Sequence, residues 1–399
     1  MNMKRFGPGM LVAAAFIGPG TVTTASIAGA NFGFVLIWAL LLSCIITFVL
    51  QEMSSRLGIV SGLGLSESLN QSIQNSTTKL CLMGLVVAAI GAGNAAFEVG
   101  NITGAAIGLN QIIGLSVPEC SVFIGIIAFI LLGTNAFKLI EPLLTVLVIL
   151  MSLLFLVTMM IIDIDLQEFM NGLMNPKISS ESLIMIMALI GTTVVPYNLF
   201  LHAHFSKQKW KELEPSKALK YSRVDTAVAI SLGGLITLAI MSTSAVAFFG
   251  SAVNISANNI GEQLNPILGS YSNYIFSFGL FAAGVTSAVT APLAASIAVT
   301  EALGWENDPS QKKFKVIWIS IISVGTLFAF LGTKPLEAIL FAQATNALLL
   351  PIIAIFLFYI VNKTQVMGSY TNGFWVNFLA VIIIISILSL SGYKVSTLI

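Results

Sequence analysis

The chain has 399 residues, of which 57% are hydrophobic and only 9% charged, with a formal net charge of +1. A water-soluble domain carries about 25% charged residues, so this chain lacks the groups for a water-facing surface. Its charges gather in short loops between apolar runs, which excludes an extended basic face for nucleic acid.

The apolar runs are long enough to cross a bilayer, which takes about 20 residues of helix. They predict an all-α polytopic membrane protein, one transmembrane domain over 1–399 with eleven segments. Segment one (8–31) contains FIGPGTVTTASIAG, with Gly18-Pro19-Gly20 near its middle. It has no A-x-A-like cleavage site, so it is expected to be a retained helix. Segment two (34–57) ends on Glu52 and Arg56, whose i, i+4 spacing suits an ion pair. Segment three (80–113) carries Glu98 within GAGNAAFEVGNITGAAIG. A carboxyl at that depth should face protein or a cavity, where it can hold a proton. Segments four (119–134) and five (138–162) follow, and five reads as scaffold.

Segment six (183–205) is interrupted by Thr193-Val194-Val195-Pro196-Tyr197 and then carries the only histidines, His202 and His204. Imidazole titrates near about pH 6.5, which makes His202 a candidate proton carrier. His204 is expected at the membrane interface, and the i, i+2 spacing puts the two rings on different faces. Segment seven (224–250) opens beside Arg223 and Asp225, read as solvated end-of-helix charges, as are Lys138 and Glu141. Segment eight (271–303) is long, and segment nine (314–332) reads as scaffold. Segment ten (336–361) offers the amides of Gln343 and Asn346, and segment eleven (373–393) is again scaffold. Cys44, Cys81 and Cys120 form no close-spaced pair and read as small buried residues.

Alternating the loops from a cytoplasmic N-terminus puts fifteen Lys and Arg inside. Only Lys177, Lys334 and Lys394 fall outside, as does the C-terminus. Basic loops favour the cytoplasmic side, so the split supports this orientation in an inner (plasma) membrane of bacterial type. Segments one and six lie five helices apart and therefore run in opposite directions. Each is broken by proline, which removes a helical hydrogen bond. Such breaks are tolerated where protein or water surrounds them. Paired breaks are the pattern of a five-plus-five inverted repeat with its substrate site between them. The repeats would span about 8–162 and 183–361, leaving 373–393 as an extra helix.

The run IGPGTVTTASIAGANFGFVLIW resembles the first two helices of Nramp-type divalent metal transporters. So do LGIVSG at 57–62, GTTVVPYNLFLH at 191–202, AAGVTSAVTAPLAASI at 282–297, and Gln343 eight residues before Pro351. The resemblance covers helices one to ten. It implies the LeuT-type fold, with helices one and six unwound at the midplane, and proton-coupled uptake of ions such as manganese or iron. It also implies a proton route through Glu98, Asn101 and His202. The family's helix-one motif is Asp-Pro-Gly-Asn, and here Gly18 and Thr21 stand at the Asp and Asn positions. Its helix-six motif is Met-Pro-His, and here the residues are Val195, Pro196 and Tyr197.

Transition metals prefer imidazole or sulfur donors, and harder ions usually take at least one carboxylate. The breaks offer neither sulfur nor carboxylate. They offer backbone carbonyls, the hydroxyls of Thr21, Thr23, Thr24, Thr192 and Thr193, and the Tyr197 phenol. The substrate set is therefore Gly18, Pro19, Gly20, Thr21, Thr24, Val194, Val195, Pro196, Tyr197, Gln343 and Asn346, with no metal ligand assigned. Two cargoes remain open: a cation that keeps part of its water shell, and a small organic anion on the freed helix amides. A non-transporting membrane sensor would expect an attached signalling domain, and a channel would expect a continuous polar lining. No phosphate-binding Gly-x-x-x-x-Gly-Lys motif or nucleophile elbow points to an enzyme. No cofactor is called for, and the partners expected are the bilayer, the cargo and protons.

Overall fold

The computed structural model describes residues 7–9, 17–134, 136–332 and 334–396, with side chains to residue 392. Lys4, Arg5, residues 10–16 of the first expected segment and the side chain of Lys394 lie outside these. Among the described residues there are helices and loops and no strand.

The helices run α1 (Pro19–Phe32), α2 (Ile37–Ser61), α3 (Leu65–Ser72), α4 (Ser76–Ile113) and α5 (Val117–Gly133). They continue with α6 (Phe137–Ile161), α7 (Leu166–Met174), α8 (Leu183–Thr193), α9 (Pro196–Lys209) and α10 (Pro215–Phe248). The last four are α11 (Ser272–Leu303), α12 (Lys312–Leu331), α13 (Pro335–Val361) and α14 (Phe374–Ser396). Nine helical spans among the described residues are long and apolar enough to cross a membrane, with α8 and α9 counted as one.

Two short helices, α3 and α7, fall in what hydropathy leaves as loops. Asp165 caps α7 by accepting from Gln167 N at 2.8 Å and Glu168 N at 3.1 Å. The seventh segment begins at Pro215, earlier than the expected 224, because Pro at the first position starts a helix well even in a polar stretch.

Burial separates centre from rim. The α8–α9 span is 94% buried over its apolar window, whereas α6 is 28% buried. The outward face of α6 carries Leu139, Leu143, Val146, Ile149, Leu150 and Leu153. An exposed apolar face that large suits lipid rather than water.

Two glycines let the central helices close up. A Cβ on Gly104 of α4 would collide with Pro19 of α1, and one on Gly191 of α8 with the carbonyl oxygen of Gln343 on α13. These approaches bring α1 against α4 and α8 against α13.

Three expectations about charged and sulfur groups change. Asp225 is not solvated: it is fully buried, and its carboxylate accepts from Gly7 N at 3.1 Å and Gly9 N at 2.7 Å. His204 is not a plain interfacial residue, because its Nδ1 lies 2.7 Å from Glu301 Oε1 on α11. Cys81 is exposed, while Cys120 is buried. The Glu52–Arg56 pair forms as the spacing implies, at 3.2 Å.

Candidate substrate-binding site

The helices that follow the two prolines begin in the same way. Gly18 is extended (ψ 177°) before Pro19, and Val195 is extended (ψ 120°) before Pro196. Proline disfavours a helical residue before it, and its own fixed φ suits the first helical position. On the far side of the second break, Val194 N still donates to Ile190 O at 2.8 Å and closes α8. Val194 and Val195 are the non-helical link between α8 and α9.

The two breaks meet. Thr21 Oγ1 and Thr192 Oγ1 lie 2.8 Å apart, joining α1 to α8. Ser43 of α2 donates to Thr193 Oγ1 at 3.2 Å. From α13, the amide end of Gln343 sits against Gly20, where a Cβ would strike it. The same Gln343 Nε2 would lie 3.4 Å from a Cβ on Gly100 of α4. Asn346, one turn further along α13, approaches Gly93 of α4. The expected α1, α8–α9 and α13 residues are therefore gathered with α4 in one interior, all of them buried.

The polar atoms of this interior are poorly partnered. Both Gln343 amide atoms, Asn346 Nδ2, the Tyr197 hydroxyl, Thr23 Oγ1 and Thr24 Oγ1 have no hydrogen-bond partner in the protein. Buried polar groups are normally satisfied, and each orphan costs about 1–3 kcal/mol. Several of these orphans lie on the helices that flank the two prolines, α1, α9 and α13.

Expected site residues differ in what they contribute. Gly18, Pro19 and Pro196 act through the backbone. Val195 packs with Phe97, Tyr197, Ala291 and Ala294 in a small apolar cluster and presents no donor. The Tyr197 ring meets Phe97 edge-on at 5.5 Å between centroids. Glu98 is fully buried, accepts from Asn101 Nδ2 at 3.1 Å through Oε2, and leaves Oε1 without a partner. His202 turns instead to α2, with Nδ1 2.8 Å from Gln51 Oε1. No direct hydrogen bond joins it to Glu98 or Asn101, so the implied route is not a continuous hydrogen-bonded chain among the described side chains.

Sequence reading missed Asn198 and Thr103. Asn198 is buried, two residues past the break, with both amide atoms unpartnered. Its position in the first turn after Pro196 was the available signal. Thr103 of α4 is likewise buried and unpartnered. Among the described residues no group of three or more His, Cys, Asp or Glu is placed to hold a metal ion. The donors at the breaks are hydroxyls, amides and backbone carbonyls.

Comparison with known proteins agrees with this geometry. The profile of the family described as natural resistance-associated macrophage protein-like matches residues 9–397. A divalent metal cation transporter MntH of Verminephrobacter eiseniae is 26% identical over 97% of this chain and 87% of its own. MntH of Listeria monocytogenes is 26% identical over 96% of this chain and 88% of its own. Among solved structures, the Eremococcus coleocola manganese transporter superposes with a TM-score of 0.79 at 20% identity, over 99% of this chain and 86% of that one. The inward-facing conformation of Mhp1 gives 0.59 at 16% identity, over 97% and 88%. These likenesses carry the LeuT-type architecture that the resemblance implied. With the family profile matched over nearly its whole length, the chain belongs to the Nramp family.

Proposed function

We propose that this protein is a membrane carrier that moves a divalent cation through the interior between Gly18–Thr21 and Val194–Tyr197. The observation that carries the reading is the set of unpartnered buried groups at the two breaks, above all Gln343 and the Tyr197 hydroxyl. The curated relatives are named as divalent metal cation transporters, which supports a metal cargo. The donor set favours a hard ion that keeps part of its water shell, since hydroxyl and amide oxygens suit magnesium or calcium better than a soft ion. Transport, rather than an enzymatic reaction, is the activity.

Residues 8–162 and 183–361 serve as the two halves of the inverted repeat, with 373–393 outside it. Alternating access comes from rocking of the broken-helix bundle against the other helices. Glu98 and His202, both fully buried, are the candidate groups for carrying protons. A cytoplasmic N-terminus is part of the same reading, supported by the concentration of Lys and Arg in alternate loops.

Reconstitution into proteoliposomes tests the proposal. Saturable uptake of magnesium or manganese that is lost in Gln343→Ala is the expected result. Saturable flux of a small carboxylate without any cation flux would overturn it in favour of an organic solute.

A further inference from the structure

A divalent cation in a neutral site needs a counter-charge close by, and neutral oxygens do not supply one. The buried carboxylates near the bundle interior have different neighbours. Asp225 is engaged by the amides of Gly7 and Gly9. Glu301 faces His204 and Lys207, and Glu52 faces Arg56 and Arg223. Glu98 alone among these has neither a cationic partner nor a pair of backbone amides. It has no exposed surface, one hydrogen bond from Asn101, and an oxygen, Oε1, with none.

Its place in the fold ties it to the breaks. Gly325 of α12 presses against the Cβ and Cγ of Glu98 and covers the stem of the side chain. Asn101, which holds Oε2, is three residues along α4, about 4.5 Å of helical rise away. Asn101 Oδ1 is itself unpartnered. Gly100, beside Asn101, also faces Gln343, whose Nε2 would lie 3.4 Å from a Cβ there. Phe97, the residue before Glu98, meets the Tyr197 ring edge-on at 5.5 Å between centroids and packs with Val195, which brings the second break against this stretch of α4. Open polar groups on α13 (Gln343), α9 (Tyr197) and α4 itself (Asn101) therefore lie on helices packed together around the one that carries this buried acid.

The geometry points to Glu98 as the charged partner of the cargo cation, acting across Asn101 and Tyr197 from the third segment rather than from either break. This assignment rests on the cation-carrier reading above. It gives a role to an otherwise unpaired buried carboxylate, which is costly unless a charge meets it. It also allows the breaks to be neutral: the charge has not been dispensed with but sits one helix away. Carrying a proton and meeting the cargo are then alternative states of one carboxyl.

Isothermal titration of the purified full chain with manganese chloride and with magnesium chloride tests the assignment, using Glu98→Gln and Glu98→Asp. Gln keeps the shape and the acceptor for Asn101 but loses the charge. Asp keeps the charge and shifts it by one methylene. The expected result is that Gln weakens binding by about tenfold or more, equivalent to about 1.4 kcal/mol, and that Asp weakens it less. The reverse order, with Asp the more damaging, would assign Glu98 a packing role and overturn the proposal. Affinity in Glu98→Gln within about twofold of wild type would overturn it too and leave the carrier reading standing. Absence of binding by either cation to the wild type would remove both. Should Glu98→Gln not fold, a loss of affinity of about tenfold or more in a folded Glu98→Asp, where the charge is kept, would by itself overturn the assignment.

Discussion

Two polar regions of this molecule are built on opposite rules. Where α2 and α9 end and α10 begins, charges are paired. Glu52 bridges Arg56 and Arg223 at 3.2 and 3.0 Å, and Arg56 also donates to Tyr370 O at 2.6 Å and Asn372 Oδ1 at 2.5 Å. Nearby, Lys207 donates to Glu67 at 3.0 Å, and Glu301 holds His204 beside a cavity of about 410 Å³. At the breaks there is the reverse: neutral groups, fully buried and mostly without partners. Paired charges fix helices in place, because removing either partner strands the other. Open neutral groups do little for the fold, and their cost is recovered only when something binds. The difference separates the part of the chain that holds one conformation together from the part proposed to bind cargo.

The comparison breaks most readily at Arg56. Arg56→Ala should cost about 3 kcal/mol of stability, because it strips Glu52, Tyr370 and Asn372 of a common donor. A thermal melt in detergent unchanged from wild type would show that the charged layer does not hold the fold. Next is Tyr197→Phe, which should keep or raise the melting temperature of the cation-free protein, since it removes an unpartnered hydroxyl, while lowering cation flux about tenfold, about 1.4 kcal/mol. A large loss of stability with normal flux would put Tyr197 in the structural region instead. A smaller effect is expected for Thr21→Val, which removes the Thr21–Thr192 bond. That should cost about 1 kcal/mol and appear as a modest fall in melting temperature. The smallest is Glu337→Gln, which breaks the exposed Lys334–Glu337 pair. Its effect should stay under about 0.5 kcal/mol, and anything larger would mean that exposed pairs also hold this fold.

Local chemistry was legible in the sequence and long-range pairing was not. The two breaks could be placed because proline acts on its own residue and the one before it. The Glu52–Arg56 pair could be placed because one turn of helix sets its spacing. The partners of Asp225 lie 216 and 218 residues away, and Glu301 lies 97 from His204. Such pairs exist only once helices have packed, and no periodicity announces them. The orphan at Asn198 was hidden for another reason. A polar residue just after a break looks like a helix start, and only its burial without a partner marks it as part of the site. The short helices α3 and α7 escaped because a hydropathy window suited to 20 residues averages over them.

The hydroxyl pair between Thr21 and Thr192 has one more consequence. Either oxygen can be the donor, and neither carries a formal charge. A backbone amide or a carboxylate has a fixed sign, but this contact does not. The joint between α1 and α8 is therefore made by two neutral groups, and a change of one threonine to valine would part the helices there without unbalancing any charge.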